Sequence, residues 1–267
     1  MITPITYNNF LQSKSAHNTS FGSTKFVYKY ANNKTMKCFS NVFRLDLNWE
    51  DLIKFLAKNF KNKKTINVIN GACSDGSESF SLVMALKEFL PEKDYRKFLP
   101  IKAFDFNEDI IKKAKSGFLD ISDTDKAKIN KYITDKSTYF DENIDSFINS
   151  DEYQKLKLKK ELTNCVDFEV NDIFKVLENL TDDSNTILLF RNALIHLGDD
   201  NAKKFASLAS EKLKPNSIVI IGNTDVASTK IKQYMTEEGF TEVIKNVYRK
   251  NNPSDKTINW LKRLFNI

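Results

Sequence analysis

The chain has 267 residues, of which 41% are hydrophobic and 28% are charged, and its formal net charge is +6. These proportions predict one globular domain with a smaller appendage, and the mixing of lysines with acids disfavours a nucleic-acid-binding face. No apolar run approaches the ~18 residues of a membrane span, and the N-terminus lacks the pattern of a secretory leader. We therefore expect a soluble, cytoplasmic protein without membrane insertion. The three scattered cysteines and two histidines predict no metal site.

The first 60 residues are predicted to form an N-terminal arm and a lead-in helix. Residues 1 to about 38 are polar and rich in Asn, Ser and Thr, which fits either a loosely structured arm or a few short strands. From Asn48 to Phe60 the pattern favours an amphipathic helix, with Asn48 as its N-cap. The main domain is predicted to cover residues 61–267.

A turn bracketed by glycines follows the first predicted strand of the main domain. Residues 66–69 form an apolar run that ends at Gly71, and helical spacing begins after Gly76, from about Ser77 to the residue before Pro91. A strand, a tight turn and a helix begin a doubly wound α/β domain, and the helix N-terminus favours a ligand with a negative group. The turn lacks the Lys-Ser/Thr pair of a P-loop and the G-x-G-x-x-G spacing of dinucleotide folds, so a purely structural turn is the alternative.

An acidic residue stands at the end of the second predicted strand. Residues 101–105 form that strand, and residues 108–115 form the next helix, which Gly117 closes. Asp105 would lie across the crevice from the glycine turn, where a carboxylate can accept hydrogen bonds from both hydroxyls of a ribose. The alternative is that Asp105 caps the following helix.

The alternation of strands and helices is interrupted between about residues 118 and 164. This stretch is highly charged and contains both helix-like and strand-like pieces. We predict an inserted subdomain rather than a linker, with residues 155–162 as an edge strand whose lysines discourage further pairing. The insertion either contributes to substrate recognition or is a decoration of the fold.

The α/β pattern resumes at residue 166. Strands are predicted at residues 166–172, 185–190, 217–222 and 241–250, and helices at residues 193–214, 231–240 and 258–265. Polar residues gather where strands end, with Asn171 and Asp172 after the third strand and Arg191 and Asn192 after the fourth. The pattern predicts an α/β fold with helices on both faces of the sheet.

Five segments, in a fixed order, carry a resemblance to one known family. Residues 71–81 read G-A-C-S-D-G-S-E-S-F-S where the family has A-G-C-S-T-G-E-E-P-Y-S, and residues 191–197 read R-N-A-L-I-H-L where it has R-N-V-L-I-Y-F. Asp105 followed by AKSGFL, residues 168–172, and residues 40–44 are similar to its other three motifs. The chain thus resembles the CheR-type chemotaxis methyltransferases, class I enzymes that use S-adenosylmethionine (SAM) to methylate receptor glutamates. That resemblance implies a Rossmann-like class I methyltransferase sheet with a short N-terminal extension.

The resemblance also implies a role for particular residues. SAM would be the cofactor and S-adenosylhomocysteine (SAH) the product. Glu78 would contact the methionine end of the cofactor, Asp105 the ribose, and Asn171 the region beside the adenine. Arg44 would reach the transferred methyl and the incoming carboxylate, and His196 stands where the family has its tyrosine. The implied catalytic residues are Arg44 and His196, and the implied cofactor-binding residues are Ser40, Gly71, Cys73, Gly76, Glu78, Asp105, Asn171, Asp172, Arg191 and Asn192.

The reaction implied is methyl transfer to a glutamate of a protein partner, with a chemoreceptor as one candidate. A glutamate is ionised at neutral pH, so its attack needs alignment and partial desolvation but no general base. This sequence departs from the family at Ser77, Ser79 and His196, and the family's N-terminal helical domain is not visible in residues 1–37. Two alternatives are therefore kept, namely a different protein or small-molecule acceptor and a non-catalytic SAM-binding regulatory module.

Overall fold

A computed structural model describes residues 26–29, 35–38, 40–141, 154–181 and 184–252, with the backbone alone at residues 26–29, 35–38 and 154. The strands are β1 Phe26–Lys29, β2 Thr35–Cys38, β3 Asn67–Gly71, β4 Ile101–Asp105, β5 Phe118–Ile121, β6 Gln154–Lys157, β7 Val166–Val170, β8 Thr186–Phe190, β9 Ile218–Ile221, β10 Phe240–Ile244 and β11 Val247–Lys250. The helices are α1 Trp49–Asn59, α2 Ser77–Phe89, α3 Glu92–Tyr95, α4 Glu108–Ser116, α5 Asp123–Tyr132, α6 Lys160–Thr163, α7 Ile173–Glu178, α8 Leu194–Lys212, α9 Asn223–Ser228 and α10 Ile231–Glu237.

Seven strands form one sheet in the order β10-β11-β9-β8-β3-β4-β7. The strands from β9 to β7 are parallel, whereas β11 is antiparallel to both β9 and β10. The chain passes from β3 outward to β4 and β7, and then returns to β8 on the other side of β3. The carboxyl ends of β3 and β8 therefore flank the point at which strand order reverses, where ligands bind in open α/β sheets. The predicted α/β, Rossmann-like fold is confirmed.

The central strands are buried on both faces, because helices cover the sheet on each side. Along β3, Val68 belongs to the cluster that contains residues of α1 and α2, and Ile69 belongs to the cluster that contains residues of α8. In β8, Leu189 belongs to the first of these clusters and Leu188 to the second. Two-sided burial explains why β8 in particular reads as a continuous apolar run rather than as an alternating pattern.

Two shorter sheets lie outside the main one. β1 pairs with β2 in antiparallel fashion, and β5 pairs with β6 in the same way, with Phe118 opposite Lys157. The predicted edge strand at residues 155–162 overlaps β6, but its last residues belong to α6. None of the helices described is long and apolar enough to cross a membrane.

The end of the sheet differs from its sequence-based prediction. Residues 241–250 were expected to form one strand, and this prediction is wrong, since β10 and β11 form an antiparallel hairpin. Asn246 has a φ of 64° in the connecting turn, a left-handed conformation that Asn adopts more readily than most residues and that suits a tight hairpin. The helix predicted for residues 258–265 lies outside the described residues.

Candidate active site

The glycine turn occupies residues 71–76, between β3 and α2. Its backbone is left-handed at Ala72, Ser74 and Gly76, with φ values of 52°, 53° and 82°. A Cβ added to Gly76 would lie 2.8 Å from Cζ of Phe168, and one added to Gly71 would also meet a side chain at 2.6 Å. Both glycines are therefore required by close packing, and Gly76 also by its conformation.

A carboxylate of the protein itself, that of Asp75, lies at the N-terminus of α2. Asp75 is fully buried, and its Oδ1 accepts a hydrogen bond of 3.1 Å from the backbone N–H of Ser77. A carboxylate in this position is favoured by the helix dipole. The sequence argument expected a ligand to supply this negative group and missed the role of Asp75, whose Oδ2 is buried without a hydrogen-bond partner among the described residues.

Asp105 connects the glycine turn to the ends of the two neighbouring strands. Its carboxylate accepts one 3.0 Å hydrogen bond from the N–H of Ser74 and another from the N–H of Asn107, while its carbonyl accepts from the N–H of Asn171. Burial raises the pKa of Asp105, and backbone N–H donors, those of Asn107, Ser74 and Phe106, oppose that shift. The cap of α4 is Asn107 rather than Asp105. An ionised carboxylate has room for further donors on each oxygen, so Asp105 fits a ribose diol.

Arg191 joins two acidic residues at the centre of the site. Its side chain is fully buried, Nη1 donates to Oε1 of Glu78, and Nη2 donates to Oδ1 of Asp46. Burial alone would lower the pKa of Arg191, but the two carboxylates hold it above its usual value. The pKa of Asp46 is lowered because the pull of Arg191 outweighs the opposing effect of burial. The three side chains together carry one net negative charge.

A turn formed by residues 42–47, which we call the Arg44 turn, is fixed against α1 and α2. The N–H of Phe43 donates to Oγ of Ser81 at 2.8 Å, and the indole of Trp49 donates to the Arg44 carbonyl at 3.2 Å. Phe43 is buried and left-handed, with a φ of 44°. Because Asp46 belongs to the same turn, its bond to Arg191 places the turn beside the end of β8.

The segment after β9 contacts the segment after β8. Asp225 is fully buried, and its carboxylate accepts from the N–H groups of Asn192, Ile195 and Gly222. Burial raises the pKa of Asp225 to about 6, against the effect of these three donors and of Arg191. A second contact joins the hydroxyl of Thr224 to Oδ1 of Asn192.

The remaining predicted residues lie around this centre. Ser40 is buried just before the Arg44 turn, and Cys73 is buried in the glycine turn, where desolvation raises its thiol pKa well above the usual value. Asp172 caps α7 by accepting from the N–H of Phe174 at 2.7 Å, which is a structural role. His196 is exposed in the first turn of α8, and partial desolvation lowers its pKa, so its imidazole is neutral at pH 7.

The structure brings most of the predicted residues to one edge of the sheet. It adds three that sequence reasoning missed, namely Asp46, Asp75 and Asp225. Asp46 follows Arg44 by two residues, and Asp225 follows β9 just as the predicted polar residues follow the other strands. The sequence could have identified these residues by their positions beside the predicted motifs and strand ends. Val170 was also missed, and its 45% exposure at the end of β7 offers an apolar surface beside Asn171.

Comparison with known proteins gives a family and a set of similar folds. Residues 38–244 match the description "CheR methyltransferase, SAM binding domain". A structure of monomeric WbdD is 14% identical, with a TM-score of 0.43, and the match covers 79% of this chain and 42% of that one. The magnesium protoporphyrin IX methyltransferase ChlM from Synechocystis PCC 6803, with bound SAM, is 13% identical, with a TM-score of 0.37 and coverages of 73% and 69%. The precorrin-6y C5,15-methyltransferase from Geobacter metallireducens GS-15 is 8% identical, with a TM-score of 0.38 and coverages of 76% and 77%.

This chain therefore spans less than half of the WbdD chain that it matches. The family match, in contrast, covers most of this chain and includes the glycine turn, Asp105, the Arg44 turn and the end of β8. The residues at these places fit SAM, since Asp105 suits a ribose diol and the net negative charge around Arg191 suits a cationic group. The chain belongs to the CheR methyltransferase family, and residues 38–244 are its SAM-binding domain.

Proposed function

We propose that this protein methylates a glutamate side chain of a cytoplasmic protein partner, of which a chemoreceptor is the first candidate. The observation that carries the proposal is the chain of ion pairs from Glu78 through Arg191 to Asp46. It fixes the Arg44 turn, the predicted acceptor side, directly beside the residue predicted to hold the methionine end of the cofactor. Family membership supports the transfer, whereas the glutamate acceptor rests on the resemblance and on the position of Arg44.

The charges of the site favour different places for the cofactor and for the acceptor. Glu78 and Asp46 carry two negative charges against one positive charge on Arg191, so this cluster favours a cation. SAM, when bound, supplies a methyl group on a positively charged sulfur. Arg191 is fully buried between two carboxylates of the protein, whereas the side chain of Arg44 is only half-buried, so Arg44 is the better candidate to meet the carboxylate of an acceptor.

Arg44 would act by orientation rather than by proton transfer. A guanidinium holds a carboxylate through charge-assisted hydrogen bonds in a fixed geometry. The carboxylate loses its charge as it becomes an ester, so a tight grip on the ground state would slow the reaction. The backbone of Arg44 is fixed by Trp49, while the side chain is only half-buried, which suits a contact with a group that arrives from outside.

A second candidate function is transfer to an acceptor that must lose a proton, such as a hydroxyl or an amine. His196 favours it, since desolvation lowers the pKa of its imidazole and leaves it neutral near pH 7. A neutral imidazole can accept a proton from the attacking group. A glutamate acceptor has no such need, so the two functions differ in their dependence on His196.

The first experiment measures cofactor binding by titration calorimetry. We expect the wild-type protein to bind SAH with micromolar affinity and Asp105→Asn to bind it at least about tenfold more weakly, because an amide accepts fewer hydrogen bonds than a carboxylate. The matched control is Asp167→Asn, an exposed aspartate on the neighbouring strand, which should bind like the wild type. Absence of heat from both SAM and SAH with the wild-type protein would refute the proposal.

The second experiment identifies the acceptor group. The protein is incubated with SAM labelled in its methyl group and with a chemoreceptor cytoplasmic fragment, or in parallel with a cell lysate. Label that is released as methanol by base indicates a carboxyl ester, whereas base-stable label favours the second candidate. Arg44→Met should abolish base-labile transfer while SAH binding is kept, and Arg96→Met, which alters an exposed arginine, should behave like the wild type. SAH binding without transfer to any acceptor would instead indicate a regulatory module.

A further inference from the structure

Gly222 and the first turn of α9, residues 222–225, which we call the 222–225 turn, contact two separate parts of the site. Its Asp225 carboxylate accepts from the N–H groups of Asn192 and Ile195, the latter at 3.0 Å. On its other side, the N–H of Asn223 donates to Oδ2 of Asp46 at 3.1 Å. One short segment thus contacts both the residues after β8 and the Arg44 turn.

The backbone after β8 adopts an uncommon conformation that the neighbouring segment fixes. Asn192 is left-handed, with a φ of 56°, a conformation that Asn tolerates better than most residues but that its surroundings still have to select. Gly222 approaches so closely that an added Cβ would lie 2.4 Å from the backbone nitrogen of Asn192. The hydroxyl of Thr224 and the carboxylate of Asp225 then bind the side chain and the N–H of Asn192.

We propose that Asp225 is a positioning residue that holds the backbone of Asn192 and Ile195, and through it Arg191 and His196, in the geometry that the cofactor requires. This inference rests on the proposed function, since it assumes that SAM occupies the crevice beside the end of β8. Asp225 acts through the residues it binds. It differs from an ordinary structural aspartate because all three of its N–H donors lie within residues 192–195 and 222–225, the two short turns, each including the first residues of a helix, that follow β8 and β9.

The ionisation of Asp225 gives this inference a distinctive signature. Protonation removes the negative charge of the carboxylate and turns one of its oxygens into a donor, so the three N–H groups are held more weakly. Charged or titratable groups on the segments packed against residues 222–225 and α9 include Arg191 at the end of β8, Asp46 on the Arg44 turn, His196 and Asp199 on α8, and Lys232 on α10. Of these, Arg191 opposes the rise in the pKa of Asp225. Cofactor affinity should therefore weaken as the pH falls through about 6.

The test measures the affinity for SAH by calorimetry between about pH 5 and pH 8. Asp225→Asn should bind SAH about tenfold more weakly at neutral pH, and its affinity should lack the inflection near pH 6. The matched control is Asp199→Asn, because Asp199 also accepts from a backbone N–H, that of Lys230 at 2.7 Å, yet belongs to neither turn. The inflection should persist in His196→Asn, which assigns it to Asp225.

A second measurement uses the wild-type protein alone, so it depends neither on SAH binding nor on the folding of a variant. In the wild-type protein, the amide resonances of Asn192, Ile195 and Gly222 should shift together with one midpoint near pH 6. If Asp225→Asn does not fold, Thr224→Val provides a milder change, with a smaller loss of SAH affinity. Unchanged affinity and pH profile in folded Asp225→Asn, or separate midpoints for the three amides, would overturn the inference. Failure of the wild type to bind SAH refutes the proposed function, whereas the amide titration still decides whether Asp225 holds this backbone.

Discussion

Replacement of Arg191 by methionine tests the central ion-pair chain most directly. The Arg191 side chain is fully buried, and its two partners, Glu78 and Asp46, are only 9% and 20% exposed. Removing one partner of a buried pair costs ~3–5 kcal/mol, because it leaves an uncompensated charge. For a chain of this size we expect the melting temperature to fall by roughly 10 °C.

The expected loss should be largely reversible by a second change. If the cost comes from the orphaned carboxylates, Arg191→Met combined with Glu78→Gln and Asp46→Asn should recover at least half of the lost free energy of unfolding. The assay is urea unfolding followed by circular dichroism, with Lys54→Met as control, since Lys54 forms an exposed pair with Glu50 and should be nearly neutral. The reasoning would be refuted if Arg191→Met were as stable as the Lys54→Met control. It would also be refuted if adding Glu78→Gln and Asp46→Asn to Arg191→Met recovered none of the lost free energy of unfolding.

Three further predictions concern other parts of the site. Gly222→Ala should lower stability by about 1–3 kcal/mol in urea unfolding and weaken SAH binding, because the added Cβ would lie 2.2 Å from Oδ1 of Asn192. The unfolding free energy of the wild type, measured relative to Asp225→Asn, should fall by about 2 kcal/mol as the pH rises from about 4 to about 7, because the folded protein, in which burial raises the pKa of Asp225 to about 6, binds this proton more tightly than the unfolded chain does. Iodoacetamide should modify Cys165 before Cys73, as judged by mass spectrometry, since Cys73 is buried and burial raises its pKa well above the usual value.

The fold was predictable from sequence where the signal is local. The run at residues 187–190 is apolar because β8 is buried along its whole length, and Asn48 caps α1 as expected. The hairpin of β10 and β11 was missed because its two-residue turn lacks glycine, and Asn246 supplies the left-handed conformation instead. The short α9 was missed because six residues give too little periodicity to detect.

The candidate site was predictable only in part, because its motifs are local and its contacts are not. The glycine turn and Asp105 stand out by their places at strand ends. Asp46 and Asp225 do not, since each resembles an ordinary surface acid until the fold brings its partner close. Asp46 meets a partner 145 residues away, and Asp225 meets one 33 residues away. Such pairings depend on strand order, which a single sequence does not state.

The contacts of the Arg44 turn also bear on the order in which the parts of the site form during synthesis. Its Asp46 binds Arg191 and the N–H of Asn223, which lie 145 and 177 residues further along the chain. Contacts of such long range form late, because the loop that they close must first be ordered. During synthesis, the glycine turn and Asp105 emerge well before residue 223. The side of the site around the glycine turn can therefore take shape first, and the proposed acceptor side is completed only when the end of β9 has joined the sheet.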